Sequence, residues 1–316
     1  MTDRLLSTLI SGRFAISGTV LLTLLLALIQ FCTLPADNNL LFGLLDGRFS
    51  ILINWGIITL TALLIVMLNN QYQIIRERTK LTFFLPLFFS TCTILYTIPY
   101  TYTLAGLCIL AAFFPLFLSY QKENATEEIF NSAILFSIAS LLNIHLLLCI
   151  PLFYWSFYQF RSLTWRTFFA SIIGFMAPYW MVIGYFLVSG KSELISFPTT
   201  SFLTNFRHPT DFTWHAATLL ILTLFSSFIA IAQILRNTYH CKIQARIFLQ
   251  INIWFQVTCL VLTYLYPIES LLYIYLFYLS ATLLLAHLFT LVRNKFASIL
   301  FYLLTGMYLL YFIINL

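Results

Sequence analysis

Eleven apolar stretches, each close to the length that crosses a bilayer, follow one another along this chain with only short polar segments between them. A transmembrane helix needs about 20 predominantly apolar residues. The spans read as 15–34, 50–69, 81–98, 102–120, 129–143, 145–160, 167–187, 214–235, 247–265, 270–290 and 296–315. Apolar residues make up 61% of the chain and charged residues 8%, against about 45–50% and about 25% in a soluble domain. A water-soluble fold could not cover 33 Phe and 18 Tyr; a bilayer removes the need. The expected fold is all-α, a polytopic transmembrane helical bundle forming a single domain over 1–316. The first span is long and no A-x-A site follows it, so it reads as a retained helix and not as a signal peptide. Gln30-Phe31 before Cys32 lacks the small residues of a lipoprotein cleavage site.

Charge sets the orientation, because Lys and Arg concentrate in cytoplasmic loops. With the N-terminus in the cytoplasm, 13 of the 16 basic residues fall inside and only Arg48, Lys191 and Arg207 outside. The C-terminus is then periplasmic. The formal charge of +6 follows from this topology. Nucleic-acid binding would need those residues on one surface with interleaved aromatics, and that partner is excluded.

The same count resolves 129–160. Its 32 residues would make roughly 48 Å of helix, too long for one ordinary crossing and short for two. A single crossing would divide the basic residues 8 to 8, whereas a short hairpin of spans keeps the division at 13 to 3. The hairpin is therefore expected. Its turn at Asn143-Ile144-His145 should lie below the outer membrane–water boundary and make a local pit, because each arm is shorter than the roughly 30 Å core.

The six cysteines lie almost entirely within spans and show no CxxC spacing. Neither a metal site nor a redox pair is signalled, and apolar packing accounts for them. No cofactor is expected. No internal repeat is evident, and no Asp, Glu, Lys or Arg occupies the middle of a span, which counts against an ion-coupled transporter. Asn54, Gln159, Gln233, Asn252, Gln256 and His287 are the polar groups left inside. Asn252 and Gln256 stand four apart on one helix face, where interhelical hydrogen bonding is the simplest role. Ala170, Gly174 and Pro178 recur every four positions on one span, a pattern that permits close helix contact.

Candidate chemistry concentrates on the outer side. The first outer loop carries Asp37, Asn38, Asn39, Asp46 and Arg48. The longest outer loop, 188–213, carries Lys191, Glu193, Arg207, His208 and Asp211. The hairpin tip adds Asn143 and His145, and the tip at 264–270 adds Tyr264, Tyr266 and Glu269. Carboxylates and histidines converging over a pit are what general acid–base chemistry needs, although ordinary loop polarity yields the same residues. Tyr96, Tyr100, Tyr102 and Trp214 sit near span ends and read as interface anchors. Arg76-Glu77-Arg78-Thr79-Lys80, and Arg161 with Arg166, suit anionic lipid headgroups but need no role beyond setting topology.

Leu68-Asn69-Asn70 through Arg76-Glu77-Arg78-Thr79-Lys80, followed by an apolar span, resembles the early part of a Bacteroidetes family of multipass inner-membrane proteins of unknown activity. Trp165-Arg166-Thr167 to Gly174 and Pro178-Tyr179 resembles that family's middle. The resemblance implies an inner-membrane location and this architecture, and it transfers no catalytic residues. Some members of that family carry a carotene-monooxygenase name. A four-histidine iron site of that kind needs its ligands at one depth, yet His145, His208 and His215 fall outside while His240 and His287 fall inside.

Two functional classes fit. In the first, the chain resembles multipass glycosyltransferases that use polyprenyl-phosphate sugars and place an acidic residue in the first outer loop. Asp37 or Asp46 would then be the catalytic general base, with Asn143, His145, Arg207, His208 and Asp211 around the lipid-linked substrate. The chain departs from that pattern in its short first loop and in lacking an adjacent acidic pair and a large outer domain. In the second class the chain is a non-enzymatic scaffold or exporter subunit whose partners are other envelope membrane proteins. Membrane lipids are partners in both.

Overall fold

The computed structural model of the protein describes residues 12, 15–33, 47–75, 79–93, 98–122, 124–190, 214–236, 242–266, 269–291 and 295–314. Among these residues there are eleven α-helices, one 3-10 segment and no strand. In chain order the helices are α1 (Ala15–Thr33), α2 (Gly47–Tyr72), α3 (Leu81–Thr93), α4 (Tyr100–Leu118), α5 (Thr126–Leu142), α6 (Ile150–Gln159), α7 (Trp165–Val188), α8 (Trp214–Arg236), α9 (Ile243–Leu265), α10 (Ser270–Leu291) and α11 (Lys295–Ile314). Each expected span is present as a helix. Seven of them, α1, α2, α4, α7, α9, α10 and α11, are long and apolar enough to cross a membrane. The protein is a multipass membrane protein.

Helix is the form this sequence must take in hydrocarbon, where each backbone polar group has to be satisfied within its own segment. The packing also has the polarity of a membrane bundle. Helix α1 buries Thr19, Thr23, Ala27 and Gln30 and turns Leu21, Leu22, Leu25 and Ile29 outward. Helix α8 buries Thr223, Ser226, Ser227 and Ala230 and exposes Ile221, Phe225, Phe228 and Leu235. In water such surfaces would drive aggregation. Between lipid-immersed helices there is no hydrophobic drive, so small residues that allow close approach make the contacts. Burying the hydroxyls is tolerable because each can bond back along its helix: Thr23 Oγ1 donates to Thr19 O at 2.9 Å and Ser226 Oγ to Thr223 O at 3.0 Å.

Helix α10 is the axis. It is apolar all round, as a fully enclosed helix should be, and from Leu272 through Thr290 every residue is buried. Helix α3 is short and buried throughout except at Phe84, which is half-buried. Gly106 on α4 makes room for the axis, since a Cβ there would lie 2.5 Å from Cε1 of Tyr275. The small-residue pattern on α7 forms a seam against α5, with Gly174 and Pro178 buried in it.

Contacts at the two ends confirm which helix ends lie together. At one end Lys80 Nζ donates to Gly12 O, Lys242 Nζ to Gln73 Oε1 at 2.7 Å, and Gln121 N to Phe160 O at 3.1 Å. At the other end Asn54 Nδ2 donates to Ile98 O at 2.7 Å and Asn143 Nδ2 to Glu269 Oε2 at 2.8 Å. Each contact joins positions that the eleven-span reading puts on one side. Segment 129–160 therefore leaves the end holding Gln121 and Phe160, reaches the opposite end at Asn143, and returns.

The turn of that hairpin differs from the three residues expected. Asn143 is extended and is followed by a 3-10 segment, Ile144–Cys149, before α6 begins. Asn143 Oδ1 accepts from His145 N at 3.0 Å, a local bond that competes with continuing the helix. Pro151, which has no N–H to give, sits in the first turn of α6, where none is needed.

Candidate functional site

Four segments converge at the end that holds Asn143: the starts of α2 and α4, the tip of the α5–α6 hairpin, and the α9–α10 tip. Pro99 fixes the entry to α4, with Tyr102 N bonded back to its carbonyl at 3.0 Å. Asn54 on α2 locks this entry in place, donating to Ile98 O and accepting from Thr103 Oγ1 at 3.0 Å. Tyr102 in the first turn of α4 thus has a fixed base.

Glu269 sits immediately before α10, at a helix N-terminus, where the backbone dipole favours a negative group. Its Oε2 accepts from Tyr102 Oη at 2.6 Å and from Asn143 Nδ2 at 2.8 Å. Its Oε1 faces the His145 ring, 3.8 Å from Nδ1. His145 is itself positioned. Asn143 Oδ1 accepts from its backbone N–H and lies 3.3 Å from its Nδ1. Tyr273 Oη donates to its carbonyl at 2.9 Å, and the ring of Tyr266 lies 5.8 Å from the imidazole. The Glu269 and His145 side chains are 15% and 8% exposed.

This pole is electrostatically distinct from the other. Among the described side chains, the opposite end carries Lys80, Lys122, Arg161, Arg166, Arg236, Lys242 and Arg246 against Glu127 and Glu128, whereas Glu269 is the charged residue of the pole. Glu127 and Glu128 lie in the first turn of α5, the favourable end of that helix, and Glu128 also pairs with Lys122 at 2.5 Å.

The sequence pointed to Asn143, His145, Tyr266 and Glu269 as tips of two separate hairpins, and the structure brings them together. Tyr102, which the sequence offered only as an interface anchor, bonds Glu269, 167 positions away. No local signal could have revealed that pairing, nor the one from Tyr273. Asp37, Asp46, Arg207, His208 and Asp211 lie outside the described residues. Asn54 and Asn252 make the expected interhelical bonds, Asn252 Nδ2 donating to Ser280 O at 3.0 Å.

The chain matches no protein-family model, no curated protein and no solved structure. Its chemistry must be read from its own residues. Among the described residues no three His, Cys, Asp or Glu side chains are grouped to hold a metal ion. What the pole offers is a carboxyl group pinned through one oxygen, with the other turned to an imidazole. That geometry suits proton transfer to or from a bound hydroxyl.

Proposed function

We propose that the protein resides in the inner membrane with its N-terminus in the cytoplasm and its C-terminus in the periplasm, and that it handles lipid-linked glycans at the outer face. The basic end described above is then cytoplasmic, and the pole around Glu269 is periplasmic. The inner-membrane placement also draws on the resemblance of 68–80 and 165–179 to the Bacteroidetes family. The observation that carries the functional reading is the Glu269 carboxyl group aimed at His145, held at the end where polyprenyl-phosphate substrates are used. In this reading Asp37 or Asp46 is the general base. Asn143, His145 and Asp211 belong to the substrate site, and Arg207 or His208 serves the lipid phosphate.

Orientation is tested with reporter fusions. Alkaline phosphatase joined after Leu316 is expected to be active, and the same fusion after Lys122 inactive; the reverse would remove the outer-face reading. Activity is tested with the purified protein in liposomes holding a polyprenyl-phosphate-linked sugar. Transfer to a glycan acceptor should fall at least about 100-fold in Asp37→Asn/Asp46→Asn, the scale expected when a general base is lost. Undiminished transfer would dismiss both aspartates.

A second reading, a scaffold or exporter subunit of an envelope complex, is favoured by α7. That helix packs chiefly on α5 and leaves Trp165, Phe169, Ile173, Trp180 and Tyr185 exposed on its outer side. Recovery of one envelope protein in stoichiometric amount with the tagged chain, and its loss in Phe169→Ala/Ile173→Ala, would support that alternative.

A further inference from the structure

Arg161 and Arg166 frame the turn between α6 and α7 at the basic end, and the chemistry of the pole makes no use of them. The turn is closely built. Arg161 takes the left-handed conformation that ends many helices (φ 56°), its N–H donating to Tyr158 O at 3.0 Å and Ser162 N to Phe157 O at 3.2 Å. Phe160 O accepts from Gln121 N at 3.1 Å, which ties the turn to the segment between α4 and α5. At the start of α7, Thr164 Oγ1 accepts from Thr167 N at 3.3 Å and Thr167 Oγ1 from Thr164 N at 2.7 Å. Thr167 Oγ1 also donates to Ser162 O at 2.9 Å. Ser162 and Thr167 each adjoin one of the arginines, so this last bond brings both cations onto one short stretch of surface.

Both arginines are exposed, and among the described residues neither guanidinium has an ion pair or a hydrogen bond. The acidic residues described at this end are Glu127 and Glu128, and Glu128 is taken by Lys122. Next to the arginines the surface turns apolar at once. Trp165, beside Arg166 at the start of α7, is 80% exposed, and Phe169 and Ile173 follow it at intervals of four, both exposed. Tryptophan belongs at the membrane–water boundary, so the arginines stand at headgroup level with hydrocarbon-facing side chains beneath them. That pairing selects a ligand. Guanidinium groups present forked donors that match phosphate oxygens, and the apolar strip suits acyl chains, which a free phosphate ion lacks.

We propose that Arg161, Trp165 and Arg166 form a binding site for one anionic phospholipid. The arginines hold its phosphate, Trp165 packs beside the glycerol, and an acyl chain runs along Phe169 and Ile173. The lipid thereby covers part of the outer side of α7, a helix that packs chiefly on α5. The site does not depend on the glycan reading, nor on which side of the membrane the basic end faces.

The test is native mass spectrometry of the full-length protein, released from detergent micelles and titrated with dioleoylphosphatidylglycerol or, as the neutral reference, dioleoylphosphatidylcholine. A basic residue near an anionic lipid surface is worth a factor of about 5 in affinity. The first phosphatidylglycerol is therefore expected to bind about 30-fold more weakly to Arg161→Gln/Arg166→Gln than to wild type, with phosphatidylcholine binding unchanged. Arg236→Gln/Arg246→Gln removes the same charge from the same end and should leave phosphatidylglycerol binding intact. An equal loss in that control overturns the proposal, because it would show only the attraction of a basic face. So does a wild type that takes both lipids equally. Full competition by glycerol 3-phosphate also overturns it, since the site would then serve a free phosphate without need of chains. If the double variant does not fold, Arg166→Gln alone is read, with a loss of about fivefold expected and no loss overturning the assignment.

Discussion

Replacing Glu269 with alanine is expected to destabilise the protein by about 2–4 kcal/mol, the cost of leaving two largely enclosed donors without an acceptor. Tyr102 Oη and Asn143 Nδ2 both end on Glu269 Oε2, so one truncation strands a phenol on α4 and an amide at the hairpin tip together. Tyr102→Phe removes a single bond and should cost far less, about 0.6 kcal/mol and at most about 1.7, the range measured for side-chain bonds between membrane helices. Thermal unfolding in nanodiscs separates the two. Combining them is diagnostic: residues in one network are non-additive, so adding Tyr102→Phe to Glu269→Ala should change little, the hydroxyl already having lost its acceptor. Full additivity would show that the two side chains do not share a bond. Glu269→Gln keeps an oxygen for both donors and should retain most of the stability. If the pole works by proton transfer, however, glycan transfer would still fall, which tells a chemical role from a structural one.

Much of this architecture was legible because the membrane imposes a simple code. Length and apolarity marked every helix, and the basic residues grouped the helix ends correctly, even across 129–160, where length alone was ambiguous. The seam at Gly174 was visible as small residues four apart. Legibility failed where partners are distant in sequence and the chemistry is ordinary. Tyr102 looks like any tyrosine near a span end, and only the fold shows that it meets Glu269. The turn after Asn143 was read as three residues, since nothing in the hydropathy distinguishes a six-residue 3-10 segment from the start of α6; Asn143 and Pro151 were the local signals. Gln256 and Asn252 were expected to serve alike, yet Asn252 reaches a carbonyl of α10 and Gln256 meets no protein group. Side-chain reach and helix rotation decide that difference, and neither is encoded in spacing alone.

The seam between α5 and α7 gives the second large effect. A Cβ on Gly174 would lie 2.8 Å from the Ala133 Cβ and 2.8 Å from the Phe130 carbonyl oxygen. The oxygen belongs to the α5 backbone and cannot rotate away, so the helices must separate. Gly174→Val is therefore expected to cost about 1–3 kcal/mol in overpacking. Separation would also stretch Ser137 Oγ to Phe175 O (2.7 Å), Ser140 Oγ to Tyr179 Oη (2.8 Å) and Tyr154 Oη to Ser171 Oγ (3.0 Å), at about 0.6 kcal/mol each. Because α7 packs chiefly on α5, it should part from the bundle while the packing around α10 persists. The measurement is the rate at which a membrane-permeant maleimide labels Ser140→Cys, a position 1% exposed between the two helices: slow with Gly174 present and much faster in the Gly174→Val background. Gly184→Val is the control on the same helix, since nothing lies within 4 Å of a Cβ there; labelling should stay slow and stability should stay within about 0.5 kcal/mol of the parent. Equal damage from both substitutions would mean that α7 responds to helix bulk in general, and that Gly174 has no special place in the seam.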